Sequence, residues 1–96
     1  MQGNRMTHDH DSVVVDQIWA ELFFYGIEFP LIDEICHLME TKPLRVQRAF
    51  LLRCRGMTQR EIADELGIAQ PRVCQYLTDN LSDVRSLMQK SCCLLL

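Results

Sequence analysis

One stretch constrains the fold of this chain more than any other: residues 58–77, with the sequence TQREIADELGIAQPRVCQYL. Read at helical spacing, Ile62, Ala63 and Leu66 form one short apolar stripe, and Gly67 follows as a residue that ends helices. After the glycine, a second helical pattern carries three large side chains inward: Val73, Tyr76 and Leu77. Two helices that meet across a short turn containing glycine form a helix-turn-helix unit.

Four local signals within this stretch agree with each other. Thr58 and Glu61 have the spacing of a capping box, which predicts that the first helix begins just after Thr58. Gly67 accepts a positive φ without the steric cost of a Cβ atom. The small side chain of Ala63 lets the two helices approach closely, and the branched side chain of Val73 fills their crossing. Together these signals predict both helices and the turn between them.

Apolar periodicity predicts that the remainder of the chain is also helical. Earlier helices are predicted over about 13–26, 31–40 and 44–55. Apolar residues spaced by three or four continue from Val73 to Met88, so we expect the last helix to run without a break over about 70–90. The predicted fold is therefore all-α, a small bundle of about five helices with a long C-terminal recognition helix. A short strand at the three valines 13–15 is the alternative, because branched residues favour strands.

A chain of 96 residues with this composition is expected to form one domain with a single modest core. We divide it into a disordered tail over 1–11, an acidic and apolar helical segment over 12–41, the helix-turn-helix region over 42–90 and an apolar tail over 91–96.

The apolar residues of the first predicted helix cover more than one face, whereas an amphipathic helix needs a stripe of only about 100°. One interpretation is a helix buried in the centre of a small core. The other is a dimer interface, because aromatic residues are enriched in interface cores. We favour the dimer, and the residues assigned to its interface are Val15, Ile18, Trp19, Leu22 and Phe23.

Charge is divided unevenly along the chain, although the formal net charge is only −3. Residues 1–41 hold one basic residue against eight acidic ones, and residues 42–96 hold nine basic residues against five acidic ones. Because carboxylates repel phosphate, this division predicts that only the second half meets nucleic acid.

Several functional classes are not expected. No run approaches the ~20 apolar residues that span a bilayer, and no secretory signal is recognisable, so we expect a cytoplasmic protein with no membrane partner. Five cysteines without Cys-x-x-Cys spacing favour a reduced compartment. We find no catalytic constellation and no phosphate-binding glycine loop, so neither an enzyme nor a cofactor is expected. The His-Asp alternation at residues 8–11 is interpreted as a solvated tail rather than a metal site.

Residues 43–88 resemble region four, the C-terminal DNA-binding domain of bacterial sigma factors and their phage-encoded relatives. The shared pattern is a helix that ends before Gly56, then Met-Thr-x-x-Glu-Ile-Ala-x-x-Leu-Gly-Ile, then x-x-x-Arg-Val-x-Gln. The shorter segment GIAQPRVCQYL is also similar to repressor-type helix-turn-helix proteins. Ala69 departs from the family, which has Ser or Thr there, so the second helix is expected to lack a side-chain cap.

The resemblance implies that the second helix enters the major groove by its N-terminal end. It places Gln70, Pro71 and Gln75 at base-contacting positions and Arg72 at a phosphate-contacting position. Side chains and backbone N–H groups at the start of the preceding helix commonly meet phosphate. The residues expected to do so here are Thr58, Gln59 and Arg60, with Arg53 and Arg55 extending the track.

These residues predict a sequence-specific transcriptional regulator that binds double-stranded DNA, as a homodimer, in the cytoplasm of a bacterium or of a virus-infected host. The alternative is an adaptor of the same fold that binds RNA polymerase or another regulator without touching DNA. The acidic first half, Ala69 and Asp79 suit the adaptor.

Overall fold

The computed structural model describes residues 2–90, with side chains described from residue 13 to residue 89. Within this part of the chain all regular structure is helical. The six helices are α1 (Gln2–Phe24), α2 (Phe29–Met39), α3 (Leu44–Cys54), α4 (Gln59–Leu66), α5 (Gln70–Thr78) and α6 (Ser82–Lys90). The all-α prediction is confirmed, with six helices rather than five, and the alternative strand at residues 13–15 is wrong because these residues lie inside α1.

The helices surround one hydrophobic core, in which α3 packs against α1, α4 and α5, while α2 packs against α1 and α6. Phe50 of α3 is fully buried. Each other helix contributes at least one buried apolar side chain: Ile18, Ile32, Ile62, Val73 and Met88. Between residues 2 and 90, no helix is both long enough and apolar enough to cross a membrane.

The first helix begins earlier than predicted. α1 starts at Gln2 rather than after Ser12, so the stretch predicted as a disordered tail over 1–11 is helical from Gln2 onward. Residues 2–11 contain no proline and a single glycine, Gly3, so they hold no strong helix breaker. The apolar tail predicted over 91–96 lies outside the described residues.

The last predicted helix is interrupted, so the long C-terminal recognition helix is wrong. α5 ends at Thr78, whose Oγ1 donates a hydrogen bond to the Cys74 carbonyl oxygen at 2.7 Å. The next residues, Asp79 and Asn80, compete for backbone hydrogen bonds and favour turns over helix interiors. α6 then begins at Ser82 and packs against α2, burying Leu81, Val84 and Met88.

Three residues assigned to a dimer interface lie in the core of the protein instead. Ile18 and Leu22 are 0% exposed and Val15 is 7% exposed. The physical reason is that α1 packs against both α2 and α3, so two of its faces are covered within one chain. Of the five predicted interface residues, Trp19 is half-buried and Phe23 is exposed. The prediction is therefore corrected for Val15, Ile18 and Leu22.

Candidate nucleic-acid interface

The start of α4 has the predicted capping box. The Glu61 backbone N–H donates to Thr58 Oγ1 at 3.2 Å, and the Thr58 backbone N–H donates to Glu61 Oε1 at 2.9 Å. Residues 62 and 63 then turn inward, so α4 is held against the core by Ile62 and Ala63. These reciprocal bonds determine where α4 begins.

The connection between α4 and α5 depends on Gly67, which has φ +69° and ψ 35°. The Ile68 N–H donates to the Ala63 carbonyl oxygen at 3.0 Å, which closes the end of α4. α5 begins at Gln70 as predicted, with Pro71 in its first turn. Ala69 precedes it and supplies no side-chain cap, which confirms the expectation from the sequence.

Replacing Gly67 with alanine is expected to lower the free energy of unfolding by about 1–2 kcal/mol, because a Cβ atom disfavours the left-handed region. No atom lies within 4 Å of the added Cβ, so the loss comes from backbone strain rather than collision. Asparagine tolerates this region better, so Gly67→Asn is the matched variant and its loss should be smaller. Urea denaturation measures both. Equal losses for the two variants would contradict this role of Gly67.

α5 presents one polar face and one buried face. Val73, Tyr76 and Leu77 are buried against α3, α4 and α6. The opposite face is exposed and contains the four residues to which the resemblance assigns DNA contacts: Gln70, Pro71, Arg72 and Gln75. Neither the acidic first half nor any other described element covers them. The structure thus leaves all four residues accessible from outside the protein.

The residues predicted to meet phosphate fall into two groups. Thr58 and Arg60 are exposed at the start of α4, and Gln59 beside them is half-buried. Arg53 and Arg55 already have partners, since Arg53 Nη1 donates to the Met57 carbonyl oxygen at 2.9 Å and Arg55 Nε lies 3.2 Å from Glu21 Oε2. The last pair joins α3 to the acidic helix α1. Each guanidinium group therefore makes one contact within the protein, while the Arg55 side chain stays 43% exposed.

Charge around α4 and α5 is mixed rather than basic. Residues 58–79 carry Arg60 and Arg72. They also carry four carboxylates, all of them exposed at the surface: Glu61, Asp64, Glu65 and Asp79. Residues 58–79 therefore carry a net charge of 2 − 4 = −2, which does not by itself attract the phosphates of DNA.

Two ionisable side chains elsewhere have shifted pKa values. Burial of Asp83 by itself raises its pKa, but the hydrogen bond from Lys42 Nζ at 3.0 Å, the Val84 N–H and the Lys42 charge together hold that pKa below its usual range. Burial, with the charges of Asp33, Glu40 and Asp16, raises the pKa of the Cys36 thiol to about 12. That thiol stays protonated at neutral pH, so Cys36 is not a nucleophile.

Two polar contacts among α1, α2 and α3 were not predicted from the sequence. The buried Gln47 Nε2 donates to the carbonyl oxygens of Met39 at 2.8 Å and Lys42 at 3.1 Å, which ties α3 to the end of α2. Tyr25 Oη donates to the Cys54 carbonyl oxygen at 2.8 Å, which ties the α1–α2 turn to the end of α3. The only sequence signal for the Gln47 contacts is a glutamine at a position of α3 where the helical pattern predicts an apolar residue.

Two grooves are lined by side chains of the described residues. A groove of about 530 Å³ lies between α2 and α6 at the surface. It is lined by Asp33, Glu34, His37, Leu38, Asp83 and Leu87. A smaller one of about 350 Å³ is bordered by α1, α3 and α4. No group of three or more His, Cys, Asp or Glu residues suited to a metal occurs among the side chains of residues 13–89. The His-Asp alternation at residues 8–11 lies outside those side chains.

The sequence matches no protein-family model, and searches of the curated proteins and of the solved structures returned no match. The observations that bear on function are accordingly the exposed surface of α4 and α5 and the resemblance in sequence.

Proposed function

We propose that this protein is a sequence-specific DNA-binding transcriptional regulator, in which α4 and α5 act as a helix-turn-helix and α5 enters the major groove. The observation that carries the proposal is the division of α5 into two faces. Val73, Tyr76 and Leu77 anchor one face in the core, while Gln70, Arg72 and Gln75 remain accessible on the rest of its surface. A helix fixed in this way presents its polar side chains in a constant geometry.

The chemistry of the exposed residues suits base recognition. Glutamine forms a bidentate pair with adenine, worth roughly 1–3 kcal/mol of discrimination. Gln70 and Gln75 are in the positions to which the resemblance assigns base contacts, with Pro71 between them on the first turn of α5. Arg72 is assigned to a phosphate, where it positions the protein without reading sequence.

Affinity of a single copy should be low. Few cations lie on α4 and α5, because residues 58–79 hold only Arg60 and Arg72, and four exposed carboxylates lie on α4 and at the end of α5. A module that neutralises few phosphates binds weakly at physiological salt. We therefore propose a homodimer, in which two copies of α5 one helical turn apart read a two-fold site.

Replacing Arg72 with glutamine is expected to weaken DNA binding about equally for all sequences and to reduce the slope of log K against log salt by about 1, because one phosphate contact is lost. Fluorescence anisotropy with mixed-sequence duplexes at several salt concentrations measures this slope. Arg45→Gln on α3 is the matched control, because Arg45 is an exposed arginine outside the proposed contact set. An unchanged slope for Arg72→Gln, or an equal change for Arg45→Gln, would contradict the assigned contact.

The mixed charge of residues 58–79 favours one alternative. Two arginines against four carboxylates give a net charge of −2, which suits a protein partner better than the phosphates of DNA. In this alternative the chain is an adaptor that binds RNA polymerase or another regulator and modulates transcription without DNA contact. Absence of binding to mixed DNA at low salt, together with capture of purified RNA polymerase by the intact chain, would favour the adaptor.

A further inference from the structure

Four aromatic side chains form a cluster where α1 ends and α2 begins. We define the aromatic surface as Trp19, Phe23, Phe24 and Phe29. We propose that a second copy of this chain covers the aromatic surface in a two-fold symmetric dimer. The surface differs from the interface predicted from the sequence, because Val15, Ile18 and Leu22 belong to the core.

The aromatic surface is exposed although it is apolar. Phe24 is 81% exposed, Phe29 57% and Phe23 46%. Because a phenylalanine side chain buries on the order of 150–250 Å² when fully covered, these three leave on the order of 300–400 Å² uncovered. A standard interface buries about 800 Å² on each partner, with an apolar core inside a polar rim. The aromatic surface has the area of such a core.

The arrangement of the rings suits contact with an identical surface. The centroids of Trp19, Phe23 and Phe29 lie 5.5–5.8 Å apart, with interplanar angles between 11° and 23°. These three nearly parallel rings stack against one another, and Phe24 projects beside them at 64° to Phe23. In a two-fold contact the exposed Phe24 side chain of each copy meets the aromatic surface of the other, which is the self-complementary arrangement of symmetric dimers.

The position of the aromatic surface leaves α5 free. α1 and α2 carry the aromatic surface, whereas α5 packs chiefly against α3, α4 and α6. A dimer formed through α1 and α2 therefore keeps both copies of α5 accessible. Such a dimer would supply the pair of recognition helices that the proposed function requires. The inference therefore rests on that function and deepens it. The dimer can nevertheless be tested without DNA.

Acidic side chains near the aromatic surface determine how the dimer responds to salt. Asp16 is three residues before Trp19, Glu28 adjoins Phe29, and Asp33 is four residues after it. All three are exposed. Two-fold contact brings like charges near each other, and added salt screens that repulsion. The dimer should consequently tighten as salt rises, whereas binding to DNA weakens.

Sedimentation of the full chain without DNA, from micromolar to submillimolar concentration at low and high sodium chloride, tests the proposal. We expect a monomer–dimer equilibrium whose dissociation constant falls at high salt. Trp19, the single tryptophan of the chain, provides a second readout, because acrylamide should quench its fluorescence less as the dimer forms. A monomer throughout the range at both salts, or growth beyond two copies without saturation, would overturn the proposal.

Phe24→Ser should raise the dissociation constant about thirtyfold or more, as for an interface hot spot. The exposed position of Phe24 keeps the monomer folded, which far-ultraviolet circular dichroism checks. Val13→Ser is the matched control, because Val13 is 49% exposed on α1 but borders the groove beside α3 and α4. An unchanged constant for Phe24→Ser, or an equal change for Val13→Ser, would overturn the assignment.

The two proposals fail separately in this design. If the protein forms the dimer but binds no DNA, the aromatic surface remains assigned as the dimer interface and the proposed DNA recognition is wrong. If the protein stays monomeric but binds DNA, the proposed dimer is wrong and α5 remains the proposed recognition element. If salt weakens rather than tightens self-association, oppositely charged surfaces meet and the two-fold contact through the aromatic surface is wrong.

Discussion

Replacing Ile18 with alanine is expected to lower the free energy of unfolding by about 2–5 kcal/mol, because the change removes a fully buried side chain and leaves a cavity. Ile18 lies on α1, which packs against α2 and α3, so the loss affects three helices at once. Such a loss is a large part of the stability of a small domain. Guanidinium denaturation followed by circular dichroism measures it.

Phe23→Ala is the matched control for this prediction. Both residues were assigned to a dimer interface from the sequence, and both lie on α1, but Phe23 is 46% exposed. Its truncation removes ring contacts with Trp19 and Phe29 and should cost about 1 kcal/mol. A small loss for Ile18→Ala with a large loss for Phe23→Ala would contradict the division of α1 into core and surface.

Replacing both Gln70 and Gln75 with alanine is expected to remove most discrimination between the preferred site and mixed DNA. Under the proposed function, each glutamine would contribute roughly 1–3 kcal/mol through paired hydrogen bonds to a base. Binding to mixed DNA should change little, because phosphate contacts supply nearly all of it. Competition between a specific duplex and a mixed-sequence pool measures the ratio of the affinity for the preferred site to the affinity for mixed DNA.

Gln89→Ala is the control for the glutamine pair, because Gln89 is an exposed glutamine on α6, outside the proposed contact set. It should leave both affinities unchanged. Loss of discrimination in Gln89→Ala, or retention in the double variant, would contradict base recognition by α5. Circular dichroism of each variant separates loss of contacts from loss of fold.

The structure of α4 and the start of α5 could be predicted because their signals are local. The capping box joins Thr58 to Glu61, only three residues away, and Gly67 takes its positive φ for reasons of its own backbone. Neither signal needs information about the rest of the fold. The exposed face of α5 followed from the same reasoning, since the inward positions of Val73, Tyr76 and Leu77 leave the other positions outward.

The break between α5 and α6 was missed because the apolar spacing continues across it. Val73, Leu77, Leu81, Val84 and Met88 keep intervals of three or four and are all buried. The chain stays close to helical at the break, with Asp79 at φ −71° and ψ −46°. The Asn80 N–H reaches back to the Gln75 carbonyl oxygen at 3.2 Å, one residue further than in an α-helix. Periodicity alone does not register such a change, whereas the run of turn-forming residues 78–80 does.

The faces of α1 could not be separated from sequence because apolar residues surround the helix. Which of them are buried depends on α2 and α3, and their placement is a tertiary property. The same limit applies to Arg53 and Arg55. The partner of Arg53 is the backbone carbonyl of Met57, and the partner of Arg55 is Glu21, which is 34 positions away in the sequence. Periodicity identifies such residues as outward but does not show that they are engaged.

The most direct test of DNA recognition is selection of bound duplexes from a random DNA pool by the full chain at low salt. We expect enrichment of one sequence, arranged as two inverted half-sites about one helical turn apart, with adenine at the positions read by Gln70 and Gln75. Recovery of an unenriched pool, or of no DNA at all, would contradict DNA recognition by α5 and favour the adaptor.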